Sequence, residues 1–273
     1  MEEIILEIIL NNGVAIPAIG FGTWQIPEGD VAYRATLAAL KAGYRHIDTA
    51  LAYGNEKSVG KALKDSGIPR EEIFVTTKLP AYIKGYGETE EAFRRSLENL
   101  GLDYVDLYLI HAPKPWGEPG DGMEYTEKNI ESWRAMEKIY REGKTRAIGV
   151  SNFEPKHLEP LLAATDIAPM ANQIKIHPGF VPAETINYCR EKQIALEGYS
   201  PLATGRLLDN ATIKEIAAKY DRSVAQICIR WSYQHNYLPL PKSVNEKRIK
   251  ENLNIFDFEL EPEDMARLDA LQI

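Results

Sequence analysis

Cysteine is nearly absent from this chain of 273 residues: Cys189 and Cys228 are the only two, far outside CxxC spacing. That excludes a disulfide framework and a thiolate zinc site, and two buried thiols carried on helices fit a reducing compartment. No stretch approaches the roughly 20 apolar residues that a membrane span needs. Met1 to Leu10 is apolar, but Glu2, Glu3 and Glu7 interrupt it, whereas an export signal wants a basic start and an unbroken apolar run. The cytoplasm is the expected location. Basic charge is also in deficit, with 32 Lys and Arg against 40 Asp and Glu and a net charge of -8. Such a surface repels polyanions, so nucleic acid and anionic membranes are not expected partners and any phosphate site must be local. Linkers, charge blocks, low-complexity tracts and repeats are missing as well, so residues 1–273 read as a single domain. A monomer acting on a small molecule is the corresponding expectation.

What is present is an alternation. Ile4 to Leu10 and Val14 to Ile16 flank Asn11-Asn12-Gly13, whose Asn-Gly pair suits a tight hairpin turn. Short apolar runs follow at Ala18 to Gly22, Ile47 to Thr49, Ile73 to Leu79, Val105 to His111, Ala147 to Val150, Ala171 to Ile176, Ala195 to Tyr199 and Leu238 to Pro241. Between them, Val31 to Ala42, Lys57 to Leu63, Glu90 to Leu100 and Asn129 to Tyr140 carry helical spacing. Two more helices are expected late in the chain, at Ile213 to Tyr220 and after the capping box Ser223 to Gln226, and Glu261-Pro262 opens a terminal one. Strand then helix, repeated, implies parallel strands, closed as a (β/α)8 barrel or spread as an open sheet. Gly20-Phe21-Gly22-Thr23-Trp24 continues with Gln25 where a dinucleotide fingerprint needs its third glycine, which favours the barrel.

In a barrel, chemistry gathers at the carboxyl ends of the strands. Those ends carry Gly22-Thr23-Trp24, Asp48 with Tyr53 just beyond, Lys78, His111, Ser151-Asn152, Gln173, Tyr199-Ser200 and Lys242-Ser243. A phenol is a poor acid at neutral pH unless a nearby cation favours its ionised form, and Lys78 is placed to supply one. Asp48 would hold that lysine charged, and His111 would hydrogen-bond a substrate oxygen. Such a set suits reduction of a C=O bond, with hydride from a cofactor because no side chain carries one. On an acidic protein, Lys242, Lys247, Arg248 and Lys250 form a local basic cluster suited to a phosphate dianion, unless Glu246 and Glu251 merely pair with it on a solvated helix face.

The chain resembles the aldo-keto reductases, in particular the compact bacterial type similar to 2,5-diketo-D-gluconic acid reductases. The match runs through Gly20 to Trp24, Gly43-Tyr44-Arg45-His46-Ile47-Asp48-Thr49-Ala50 into Tyr53-Gly54-Asn55-Glu56, Thr77-Lys78-Leu79 and Asp106 to His111. It continues in Ile148 to Phe153, Tyr199-Ser200-Pro201-Leu202 and Pro239 to Ser243, and so spans nearly the whole chain. The resemblance implies a barrel plugged by the hairpin, two added helices, and extended NADPH across the mouth. It implies a catalytic tetrad of Asp48, Tyr53, Lys78 and His111. Thr23 and Trp24 would border the cofactor, Ser151, Asn152 and Gln173 would hold the nicotinamide amide, and Tyr199 would stack on the ring. Ser200 to Leu202 would meet the pyrophosphate, Lys242, Ser243 and Arg248 the 2′-phosphate, and Glu251 and Asn252 the adenine. Pro80 and Ala112 stand where aldose-reductase-like members carry aromatics, which predicts a wide pocket and a broad carbonyl preference. Trp24 would form one wall, with Trp116, Tyr82 and Tyr86 closing another beside Tyr53 and His111.

Other chemistries lack a part. Ser151 and Ser200 each miss the second glycine of a nucleophile elbow, and Gly54 to Lys61 has Val59 where a phosphate loop needs glycine. His46, His157, His177 and His235 show no metal-ligand spacing, so structural roles are expected and no metal. Glu197 is a tempting glycosidase nucleophile, but a retaining enzyme needs a second carboxyl about 5 to 5.5 Å away and the fourth barrel strand ends in His111 instead. A nucleotide-binding regulatory barrel that senses redox state is the remaining alternative.

Overall fold

The Asn-Gly turn forms as its sequence requires, with Gly13 at φ +84° between β1 (Glu7–Ile9) and β2 (Ala15–Pro17), which pair antiparallel. A computed structural model describes residues 7–272 of the chain. Positions 1–6, which include the expected start of the hairpin strand at Ile4 and the acidic Glu2 and Glu3, lie outside the described residues.

Eight strands follow: β3 (Phe21–Gly22), β4 (His46–Asp48), β5 (Phe74–Leu79), β6 (Val105–Ile110), β7 (Thr145–Ser151), β8 (Ala171–Lys175), β9 (Ala195–Tyr199) and β10 (Leu238–Leu240). Neighbours in sequence are neighbours in space and parallel throughout. The two edges meet where Gly20 N donates to Pro239 O and Gly22 N to Pro241 O, both at 3.0 Å, so the sheet closes into the expected (β/α)8 barrel. Gly20 is required at this seam, because a Cβ there would fall 2.5 Å from the His46 ring and 2.6 Å from Leu240.

Around the barrel run α1 (Asp30–Ala42), α2 (Glu56–Asp65), α3 (Tyr86–Leu100), α4 (Thr126–Arg141), α5 (Pro155–Ala164), α6 (Ala183–Glu191), α7 (Ala211–Tyr220), α8 (Val224–Gln234), α9 (Glu246–Leu253) and α10 (Pro262–Asp269). The Ser223/Gln226 capping box forms in full, with both reciprocal bonds, and Pro262 opens α10. Helix α5 has no counterpart in the apolar spacing because Pro155 and Pro160 read as breakers. Pro155 instead sits in the first turn, where a missing N–H costs nothing, and Glu154 and His157 form a reciprocal cap. The His157 role is therefore structural, as are those of His235, which meets Asp269 at 2.9 Å, and His177, which meets the Pro178 carbonyl.

The apolar core lies between barrel and helices, with Trp133, Trp231, Tyr44 and Tyr108 wholly buried. Helices α2 and the end of α3 touch at Gly60, where a Cβ would stand 2.1 Å from the Leu100 carbonyl oxygen. Cys189 and Cys228 are buried free thiols, and burial raises both, Cys228 to about 12, so neither is reactive. Among the described residues no helix is long and apolar enough to cross a membrane.

Candidate active site

Three adjacent strands bring the expected tetrad together. Asp48 ends β4, Tyr53 ends the single turn that follows, Lys78 lies near the end of β5, and His111 follows β6. Lys78 Nζ donates to Asp48 Oδ1 at 2.7 Å, Asp48 Oδ2 at 2.8 Å, the Thr49 carbonyl at 2.8 Å and the Tyr53 hydroxyl at 3.3 Å. His111 Nε2 stands 3.5 Å from the same hydroxyl, a long contact, and the two rings meet edge to face at 5.4 Å. Gly54 adopts the left-handed conformation, φ +69°, that ends this turn, and the Asn55 amide ties it to the Thr23 and Ile26 carbonyls.

The electrostatics correct one expectation. Lys78 does favour the Tyr53 phenolate, but burial outweighs it and Asp48 opposes it, so the phenol lies above its ordinary pKa, not below. Tyr53 is therefore protonated at neutral pH, with the Lys78 ammonium 3.3 Å from its hydroxyl. Burial, then the charges of Lys78 and Lys84, push His111 down to about 3, so the ring is neutral. Its Nδ1 is buried without a partner, and nothing on that side fixes the tautomer. For Lys78, burial opposes the charge, but Asp48 and Tyr53 more than restore it and the net shift is upward.

The expected nicotinamide ligands also converge. Ser151 Oγ donates to the Gln173 carbonyl at 2.8 Å, Asn152 Nδ2 to Ser151 Oγ at 2.9 Å and to the His111 carbonyl at 3.0 Å, and the Tyr199 hydroxyl to Asn152 Oδ1 at 2.8 Å. Asn152 takes a left-handed φ of +61° to do so. Gln173 faces inward: its Nε2 donates to Asp48 Oδ2 at 2.8 Å and to Glu197 Oε2 at 3.1 Å. Thr23 is wholly buried with its hydroxyl donating to the Asp48 carbonyl at 3.0 Å, so its side chain secures β4. Asn252 is likewise buried, whereas Glu251 is partly exposed.

A dinucleotide phosphate fits the remaining groups. After β9, Ser200, Ala203, Thr204 and Gly205 all have positive φ, and the loop, which includes Leu202, is closed by Ala203 N donating to Ser200 O and Gly205 N to Leu202 O, both at 2.8 Å. Among the described residues, Lys242, Lys247, Arg248 and Lys250 form no ion pair within 4.0 Å. Ser243 Oγ accepts from Asn245 N, and Asn245 caps α9 through Arg248 N, so Lys242, Lys247 and Arg248 lie at or beside a helix N-terminus while Lys250 lies in the last turn. At the mouth, Trp24 is 46% and Trp116 60% exposed, and Trp116 meets the His111 ring edge to face at 5.9 Å. Tyr82 and Tyr86 are exposed nearby in sequence, but neither contacts the tetrad through a described hydrogen bond or ring pair.

Glu197 departs from the sequence reading. A second carboxylate does accompany it, because Asp48 shares the Gln173 amide nitrogen with it, but both lie inside the barrel and Asp48 is taken by Lys78. Glycosidase chemistry thus lacks an accessible pair. Burial, then the charge of Asp48, pushes Glu197 up to about 8.

The aldo/keto reductase family model matches residues 18–273. The chain is 49% identical over 262 residues to glyoxal reductase of Bacillus subtilis, covering 96% of this chain and 91% of that protein. The crystal structure of an aldo/keto reductase from Brucella melitensis superposes with a TM-score of 0.90 at 46% identity, covering 97% and 98% of the two chains. A Bombyx mori aldo-keto reductase solved in complex with NADP superposes with a TM-score of 0.87 at 35% identity, covering 97% and 92%. The chain belongs to the aldo/keto reductase family.

Proposed function

We propose that this protein reduces aldehydes and ketones to alcohols, reversibly, with NADPH as hydride source and Tyr53 as general acid. The observation that carries the reading is the Lys78 ammonium, balanced by Asp48 and 3.3 Å from the Tyr53 hydroxyl. The bound nicotinamide supplies the hydride that reaches the carbonyl carbon. Tyr53 gives its proton to the carbonyl oxygen, and Lys78 stabilises the phenolate left behind. His111, neutral and beside the same hydroxyl, orients that oxygen. Ser151, Asn152 and Gln173 orient the carboxamide, with Gln173 Oε1 as the acceptor its amide nitrogen leaves over, and Tyr199 backs the ring. Ser200 to Leu202 receive the pyrophosphate, Lys242, Ser243 and Arg248 the 2′-phosphate, and Glu251 and Asn252 the adenine, with Thr23 and Trp24 bordering the cofactor. The NADP complex of the Bombyx mori relative and the unpaired cations support NADPH over NADH. Trp24 and Trp116 flank an entrance left open by Pro80 and Ala112, which favours a broad range of carbonyls. On the same reading the whole chain works as one barrel, a monomer in the cytoplasm.

The test follows NADPH absorbance with small and bulky aldehydes for the wild type and Tyr53→Phe. The variant should lose about 10²- to 10⁴-fold in kcat, the usual worth of a positioned acid, while NADPH affinity persists. Near-normal turnover would reject Tyr53 as the acid. Strong selectivity for the small aldehyde would reject the wide pocket, and cofactor binding without turnover across the panel would favour a redox sensor.

A further inference from the structure

Directly beneath the tetrad the barrel holds two carboxyl groups but a single cation. Lys78 is matched by Asp48 at 2.7 and 2.8 Å. Glu197, 1% exposed, has no cation of its own. Its Oε2 accepts from Gln173 Nε2, while Oε1 has no hydrogen-bond partner and stands 3.9 Å from His46 Nε2. His46 meets Thr76 Oγ1 at 2.9 Å, and burial, then Lys78, pushes it down to about 3, so it is neutral. The elements packed around Glu197 offer no further charge: β4 presents His46 and Asp48, β5 Thr76 and Lys78, β8 Gln173, and β10 pairs Leu238 with it.

We propose that Glu197 is a protonated carboxylic acid at neutral pH and a positioning residue for the reduction, whose ionisation restrains Tyr53 through Gln173, Asp48 and Lys78. With Glu197 neutral, the buried group of Lys78, Asp48, His46 and Glu197 carries no net charge. Loss of the Oε1 proton as the pH rises leaves a net charge of minus one in a buried site. The added negative charge holds the Lys78 proton more tightly and disfavours the Tyr53 phenolate, so proton donation weakens. The path is continuous: Gln173 Nε2 lies 3.1 Å from Glu197 and 2.8 Å from Asp48, which holds Lys78.

The proposal rests on the carbonyl-reductase reading, so one of its measurements is independent of turnover. Infrared spectra of the wild type with 13C-labelled glutamate should contain a label-shifted neutral-carboxyl stretch at pH 7 that titrates away on the alkaline side. Glu197→Gln, which keeps the shape of the neutral acid, should lack that band. Absence of a labelled neutral carboxyl at pH 7, or a band that persists unchanged in Glu197→Gln, overturns the proposal even if turnover is normal, and a band lost in Glu197→Gln supports it even if the reaction has been misread. In kinetics, wild-type kcat for aldehyde reduction should fall as the band disappears, and Glu197→Gln should lose that alkaline limb. A band that titrates while the variant keeps the same limb overturns the link to Tyr53.

Discussion

Asp48→Asn tests the charge balance on which the site depends. The substitution keeps the side-chain shape and one acceptor but removes the only carboxylate bonded to the wholly buried Lys78 ammonium. The surviving bonds to the Thr49 carbonyl and Tyr53 hydroxyl, at 2.8 and 3.3 Å, bring no counter-charge. Removing one partner of a buried ion pair costs about 3–5 kcal/mol, because the other charge stays buried and uncompensated. Glu197 can relieve part of that cost by ionising, since Gln173 links it to the same place. Equilibrium urea unfolding should therefore place Asp48→Asn toward the lower figure and Asp48→Asn with Glu197→Gln toward the upper one. The pH dependence has a definite sign. In the wild type the folded pKa of Lys78 is raised, so its contribution is complete below the unfolded value of about 10.4 and is lost only above it. Without Asp48 the folded value drops below the unfolded one, so variant stability should climb between pH 7 and 10. Measured in the Glu197→Gln background, the deficit against the parent should shrink over that range. A cost under about 1 kcal/mol in both backgrounds, well below the range for a broken buried pair, or a deficit that grows toward alkaline pH, refutes the argument.

Arg248→Met should weaken NADPH binding about 10- to 100-fold, the worth of a charge-assisted hydrogen bond of about 1.5–3 kcal/mol, and leave NADH nearly unaffected. Equal losses in a fluorescence titration would remove the 2′-phosphate assignment. Because His111 is pushed down to about 3, kcat/KM for reduction should show no inflection near the ordinary imidazole value of about 6.5; a titration there would mean that the ring is solvated. Gly60→Ala sets a Cβ 2.1 Å from the Leu100 carbonyl oxygen, and should cost about 1–3 kcal/mol or more as overpacking. An unchanged urea midpoint would show that α2 and α3 part freely.

Much of this was legible because strand ends and helix caps are local signals. The runs carrying Asp48, Lys78, His111 and Tyr199 all became barrel strands or their continuations, and the Ser223/Gln226 box caps its helix as expected. The failures are non-local. Helix α5 was hidden because Pro155 and Pro160 look like breakers; the cap at Glu154 makes Pro155 admissible at the first position, while Pro160 lies inside the helix. The net direction of the Tyr53 shift was missed because sequence proximity to Lys78 says nothing of how much water burial removes.

The environment of Glu197 was within reach of the sequence through a rule it obeys. In a strand, residues two apart face the same side, so the side chain two positions before each mouth residue lies one layer deeper in the barrel. Applied to Asp48, Lys78 and Tyr199, the rule selects His46, Thr76 and Glu197, and these three do meet, His46 with Thr76 at 2.9 Å and with Glu197 at 3.9 Å. A barrel interior is ordinarily filled by branched aliphatic side chains, and polar groups there cost desolvation that a plain core would not. His46 Nδ1 and Glu197 Oε1 incur that cost without a hydrogen bond in return. On the proposed role of Glu197, a layer so unfavourable to folding is accounted for by what it would do to the layer above: set the charge against which Lys78 and Asp48 act on the Tyr53 proton.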